Sequence, residues 1–153
     1  MAFRCTLGSP VGPLLAEADG QGALLSLGRA RVERPAGPGD HPNLELLREE
    51  LARYWSGEAI AFTVPVSAPG SEFQRRVWAA LRAIPWGRTI SYSELAARVG
   101  SNPRAVGQAN GANPVAIVVP CHRVVGKDGS LVGYAGGLDM KRHLLRVERV
   151  LLL

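Results

Sequence analysis

The chain has 153 residues and little cysteine, only Cys5 and Cys121. That excludes a small disulfide-stapled scaffold, and without a secretory leader the two cysteines read as free thiols. There is no C-x-x-C or H-x-x-x-H pair, and histidine is confined to His41, His122 and His143. A structural zinc site therefore has no support in the sequence. No apolar run approaches the roughly 20 residues that span a bilayer, and no basic-then-apolar leader opens the chain. The expectation is a cytosolic protein, or a nuclear one in a eukaryote, with no membrane contact. Lysine is nearly missing, since 16 of the 18 cations are Arg. Acids are scarce in the second half. Residues 67–153 hold five acids against twelve Lys and Arg, a charge of +7, whereas residues 1–66 hold eight acids against six Arg, a charge of −2.

What is present suits a folded chain. A hydrophobic content of 46% suffices for one compact domain or two small packed lobes, and 20% charged residues is ordinary globular composition. The skewed charge fits a polyanion such as DNA as partner, or simply an Arg-rich solvated surface.

Along the chain, "FRCTL", "LLAEA" and "ALLSLG" read as short strands separated by Gly-containing turns. Residues 29–42, rich in Pro, Gly and charge, read as a surface loop. Leu44, Leu47, Leu51 and Tyr54 or Trp55 recur at helical spacing, with Gly57 as a stop. "AIAFTVPV", residues 59–66, is a further strand candidate, and residues 67–71 read as a linker. The second half is mainly helical. Ser71 and Gln74 form a capping box for a helix to Ile84, and Ser91 and Glu94 form a second box for "SELAARV". Gly100 is placed to end that helix, and Asn102 with Pro103 opens the next. The pair forms a helix-turn-helix candidate. After Arg104 its second helix carries mostly small side chains, which suit either close approach to a minor groove or tight packing in a core. The final segment, from Gly137, reads as a helix with Leu138, Leu144, Leu145 and Val147 or Leu151 available to pack inward. The expected fold class is α+β. A strand-rich α/β lobe, residues 1–66, packs on a mainly helical lobe, residues 67–153, that carries the helix-turn-helix and the loop of Cys121.

"VVPCHRVVG", residues 118–126, sets a cysteine, a histidine and an arginine between valine pairs. A cysteine attacks as the thiolate, and a free thiol with pKa near 8.5 is only a few per cent ionised at neutral pH. His122 is the nearest base, yet neighbours in an extended segment point to opposite sides, so cooperation needs a turn or a bridging water. The histidine also wants an acid on its far nitrogen. Glu72 and Glu94 serve helix starts and Asp128 sits in a turn, which leaves Asp139 and Glu148. By itself the Cys-His pair could equally be structural.

"IPWGRTISYSELA", "NPRAVGQANGANPVAIVVPCHRVVG", "GYAGGL" and "HLLRVE" together resemble the O6-alkylguanine-DNA alkyltransferases, most densely over residues 71–148. The resemblance implies a monomeric DNA repair protein that flips O6-alkylguanine out of duplex DNA, through the minor groove, and transfers the alkyl group irreversibly to itself without metal or other cofactor. It implies Cys121 as the nucleophile and His122 as the base that deprotonates it through a water. It implies Glu148 as the carboxylate orienting the histidine and Asn113 as organiser of the cysteine loop. Tyr92 would assist the departing guanine, and Arg104 would enter the duplex in place of the flipped base. Val124 and Tyr134 would hold the base in its pocket. Ala135 stands where the family commonly has Ser, so one hydroxyl contact to the base is gone. Zinc occurs in the N-terminal lobe of some members, but here only Cys5 and His41 stand in that half, and none is expected. Three other readings are a non-catalytic sensor of alkylated DNA, a helix-turn-helix regulator and a thiol hydrolase.

Overall fold

The computed structural model describes residues 3–30 and 41–150. Three antiparallel strands open the chain in the order β1 (Phe3–Leu7), β2 (Leu14–Ala18) and β3 (Leu24–Arg29). Cys5 and Leu7 on β1 and Leu14, Ala16 and Ala18 on β2 are buried at the two-residue period of a half-covered strand. On β3 the buried residues are Leu24 and Leu27, three apart. A register shift between Glu17 and Ala18 explains the spacing, because the irregularity re-aims β3 so that both leucines face the core. The expected loop over residues 29–42 lies largely outside the described residues.

Helix α1 (Pro42–Trp55) is capped by His41, whose Nδ1 accepts from the Asn43 N–H, and has Pro42 in its first turn. Leu44, Leu47, Leu51 and Tyr54 form its inner stripe. The strand expected over residues 59–66 is not a strand. Glu50, buried in α1, accepts the backbone N–H groups of Thr63 and Val64 at 2.9–3.0 Å, and Pro65 has no N–H to give. With those donors committed or missing, a ladder cannot form. Only Val66 makes a single bridge, to Leu24. The linker reading of residues 67–71 is modified likewise, since Ser67 N–H donates to the Leu24 carbonyl at 2.8 Å.

The second half holds α2 (Glu72–Arg82), α3 (Tyr92–Val99), α4 (Pro103–Gly111) and α5 (Leu138–Val147). The Ser71–Gln74 capping box forms with both of its bonds. At α3 only half of the expected box forms. Ser91 accepts from the Glu94 N–H, but the Glu94 carboxylate turns outward to Arg98 at 3.0 Å. Gly100 ends α3 in the left-handed conformation at φ 69°, which is what permits the short turn into Asn102, the side-chain cap of α4. Two-residue strands β4 (Ile90–Ser91) and β5 (Val124–Val125) pair in parallel, an element the sequence reading did not contain. In α5, Leu144 and Leu145 are buried and Val147 is half-buried, but Leu138 is exposed. Leu151 lies outside the described residues.

One apolar core runs through both halves. They also share backbone hydrogen bonds. Leu27 N–H donates to Pro114 and Ala116 N–H donates to Leu27, both at 2.9 Å. The outer edge of β3 is thus continued by the segment leading to Cys121.

Candidate active site

The segment from Asn113 to Cys121 is bent into shape by its own hydrogen bonds. Asn113 Oδ1 accepts from Val115 N–H at 3.0 Å, and its Nδ2 donates to the Val119 carbonyl at 2.8 Å. Ile117 has φ 71° and the Val118 N–H reaches back to Ala116 at 2.8 Å. That is a γ-turn of the rare strained kind, at a β-branched residue. A second, ordinary reversal follows at Pro120, where Cys121 N–H donates to Val119 at 2.8 Å. Burial of the Ile117 side chain in the core holds the strained turn in place.

Cys121 then begins a single 3-10 turn, Cys121–Arg123. The turn removes the geometric objection raised by an extended segment. Cys121 and His122 do not point apart along a strand, and His122 is directed into the interior, with no exposure. His122 Nε2 lies 2.5 Å from Glu148 Oε2. Nδ1 is buried and finds no hydrogen-bond partner among the described residues. Glu148 caps α5 at its C-terminal end, where the helix dipole disfavours a carboxylate. Arg123 offsets this, its Nε donating to Glu148 Oε1 at 2.8 Å while Nη1 holds the Ile84 carbonyl. Burial opposes the carboxylate charge, but His122 and Arg123 outweigh it and hold Glu148 down to about 2. Burial lowers the His122 pKa against the pull of Glu148, so the imidazole is kept neutral and able to accept a proton.

Cys121 is 7% exposed at the foot of a hollow of about 240 Å3 lined by Tyr92, Asn110, Cys121, Tyr134, Ala135 and three glycines. That is smaller than the roughly 300–1,000 Å3 of drug-sized ligand sites, and its flat aromatic and glycine walls suit a planar ring. Burial pushes the thiol pKa up, while Asn113, Tyr134 and the Lys141 charge pull it back. Tyr92 Oη donates to the Val132 carbonyl at 3.1 Å, and burial raises its pKa too.

The structure therefore brings Cys121, Tyr92, Tyr134 and Ala135 to one hollow, with Asn113 shaping the loop and His122 and Glu148 joined behind it. Val124 is fully buried in β5 and does not line the hollow. Arg104 is exposed on α4, at the open end of the helix-turn-helix. Ala109 is in the core, its carbonyl accepting from Trp78 Nε1 at 2.8 Å, while Gly107 and Gly111 line the hollow. Among the described residues no three His, Cys, Asp or Glu side chains converge as metal ligands. His41 is occupied as a helix cap.

Four residues escaped the sequence reading. Arg123 and Tyr54 bind Glu148. Asn110 lines the hollow and donates to the Cys121 carbonyl at 3.4 Å, with its Oδ1 buried and unpartnered among the described residues. Lys141, fully buried, donates to the carbonyls of Val124, Val132 and Gly133 at 2.7, 3.1 and 3.3 Å. It thereby holds the segment that carries Tyr134. A lysine inside an apolar helical stripe was the available signal. Nothing in the sequence marked Tyr54.

A three-stranded sheet joined to a helix-turn-helix, with a buried cysteine at a ring-sized hollow and a His-Glu pair behind it, has the make-up of a cysteine-nucleophile protein built on a DNA-binding motif. Residues 72–150 match the family model of the 6-O-methylguanine DNA methyltransferase DNA-binding domain. A methylated-DNA–protein-cysteine methyltransferase from Methanosarcina acetivorans is 45% identical over 149 residues, covering 92% of this chain and 94% of that protein. The one from Mycolicibacterium paratuberculosis is 56% identical over 103 residues, 66% of this chain, and the match spans 62% of that protein's own length. The crystal structure of Mycobacterium tuberculosis OGT in complex with DNA superposes with a TM-score of 0.84 at 43% identity, covering 94% of this chain and 91% of that one. The chain belongs to the 6-O-methylguanine-DNA methyltransferase family.

Proposed function

We propose that this protein repairs DNA by taking the alkyl group from O6 of a guanine onto Cys121, once and irreversibly. The observation that carries this is Cys121 at the foot of a ring-sized hollow, backed by His122 and Glu148. An alkylated base must leave the stack to reach a buried sulfur, and flipping costs a few kcal/mol. Arg104, exposed on α4, is the group we assign to fill the gap. The reaction forms a C–S bond and breaks the C–O6 bond. The thiol proton passes toward the neutral imidazole of His122, through Nδ1, whose own charge in the protonated state Glu148 supports. The electron pair of the broken bond stays with guanine, and we assign Tyr92, its hydroxyl turning from the Val132 carbonyl, to donate a hydrogen bond to it. The thioether product has no carbonyl for water to attack, so the protein acts once. No resident cofactor is required by these steps.

Asn113 shapes the loop, and Tyr134 and Ala135 form the pocket wall. Val124, buried in β5, is read as a pocket position backing that wall. We read residues 1–66 as a supporting lobe and residues 67–153 as the DNA-binding and acceptor lobe, in a monomer that approaches DNA from the minor groove. No helix among the described residues is long and apolar enough to cross a membrane. Two free thiols, Cys5 and Cys121, fit the reducing cytoplasm as working compartment. The test is intact-protein mass after incubation with duplex DNA carrying O6-methylguanine. One methyl mass added to the wild type, located on Cys121 and missing from Cys121→Ala, is expected. Lesion binding with no mass gain would leave the non-catalytic sensor reading instead.

A further inference from the structure

Glu148 is held from the N-terminal half of the chain as well as from its own neighbourhood. Tyr54, near the end of α1, donates its hydroxyl to Glu148 Oε2 at 2.7 Å. The same oxygen faces His122 Nε2, and the other oxygen takes Arg123 Nε. Tyr54 is fully buried. Its ring is set edge-on to Trp55 and Trp86, at 5.1 and 5.3 Å between centroids, with Phe62 tilted at 5.7 Å. A buried phenol usually finds some partner, and a backbone carbonyl would satisfy it. Here the partner is the carboxylate that orients the histidine behind the reactive sulfur.

We propose that Tyr54 is a positioning residue for the transfer reaction, its hydroxyl fixing the rotation of the Glu148 carboxylate and setting how strongly that carboxylate supports a proton on His122. This inference rests on the alkyl-transfer reading above. In it, the N-terminal half completes the reactive site instead of only bracing it. A carboxylate with three donors is a weaker base than one with two. Without the Tyr54 hydroxyl, Glu148 directs more of its charge at His122 and raises the imidazole's proton affinity, while its freer rotation relaxes the imidazole's orientation. A more acidic phenol at the same place does the reverse to the proton affinity. The other charged or titratable groups facing the pair are Arg123 from the same turn, Lys141 from α5, Cys121 and Tyr134, and these stay constant across such variants.

The experiment measures single-turnover transfer from duplex O6-methylguanine DNA across the neutral and mildly acidic range. It compares wild type, Tyr54→Phe, and protein with 3-fluorotyrosine at position 54 alone, and follows DNA affinity alongside. Tyr54→Phe is expected to slow the maximal rate about 10- to 100-fold, by analogy with the loss of outer hydrogen-bond partners behind metal-bound histidines, and to move the acid limb to higher pH. The fluorinated residue, which keeps the shape, is expected to move the limb to lower pH. DNA affinity should hold in both. Limbs that stay put or move in the same direction overturn the proposal, as does a rate loss traced wholly to weaker DNA binding. If Tyr54→Phe does not fold, an unmoved limb in the fluorinated protein overturns it alone. A wild type that transfers nothing would instead overturn the alkyl-transfer reading itself.

Discussion

At Cys121, burial and reactivity oppose one another. Burial holds the sulfur as a neutral thiol, and Asn113, Tyr134 and Lys141 each draw it back toward the thiolate. Lys141 is itself lowered by burial to about 8, so its ammonium is present at neutral pH and fades above it. Transfer should accelerate as pH rises through neutrality and level off once Lys141 loses its proton. Lys141→Met removes both the charge and the three carbonyl contacts. In that variant the Cys121 thiol should titrate at higher pH, and the neutral-pH rate should fall, checked by iodoacetamide labelling against pH. Labelling that follows the wild-type curve would show that Lys141 acts on the loop alone.

At the level of elements, the stretch from α3 to α4 depends on local chemistry that substitution can probe. Asn102 accepts from Ala105 N–H at 2.9 Å and opens α4, so Asn102→Ala should cost about 1 kcal/mol in a urea titration. Arg104→Ala on the same helix should leave that titration unchanged and weaken transfer from duplex DNA, since its side chain is exposed and reaches only outward. The 59–66 segment depends on one side chain. Glu50 receives two backbone N–H groups and the Thr63 hydroxyl. Glu50→Gln turns one acceptor into a donor facing donors and should destabilise the fold by about 1–3 kcal/mol.

Across the whole molecule, contacts that join the two halves include the shared apolar core, the β3 edge hydrogen bonds to Pro114 and Ala116, Tyr54 on Glu148, and Arg29. The last reaches from β3 to the Gly136 carbonyl at 3.0 Å and to Asp139 at 2.8 Å. The buried His122–Glu148 pair also ties stability to pH. Both groups titrate lower in the folded protein than in the unfolded chain, so below their unfolded values the unfolded chain binds more protons. Stability should therefore begin to fall below about pH 6.5 through His122 and fall further between 4.5 and about 2 through Glu148, as urea midpoints against pH would show. The +7 of residues 67–153 against the −2 of residues 1–66 predicts that the logarithm of DNA affinity falls linearly with the logarithm of salt. A flat salt response would remove phosphate contact as the source of binding.

Much of this was legible without coordinates, and the reason is local. Caps at Ser71, Ser91 and Asn102 and the stop at Gly100 act through neighbours three or four residues away, and those interactions travel with the sequence. The failure at residues 59–66 has the opposite cause. The segment had the composition of a strand, but Glu50, more than ten residues earlier, had already taken its donors. The sequence alone singled out Cys121 as the candidate nucleophile and set the positive charge in residues 67–153. Only the tertiary structure decided what surrounds that sulfur. Tyr54, Arg123 and Lys141 acquire their roles through hydrogen bonds to groups up to 94 positions away, and no local spacing encodes a contact made by folding the chain back on itself.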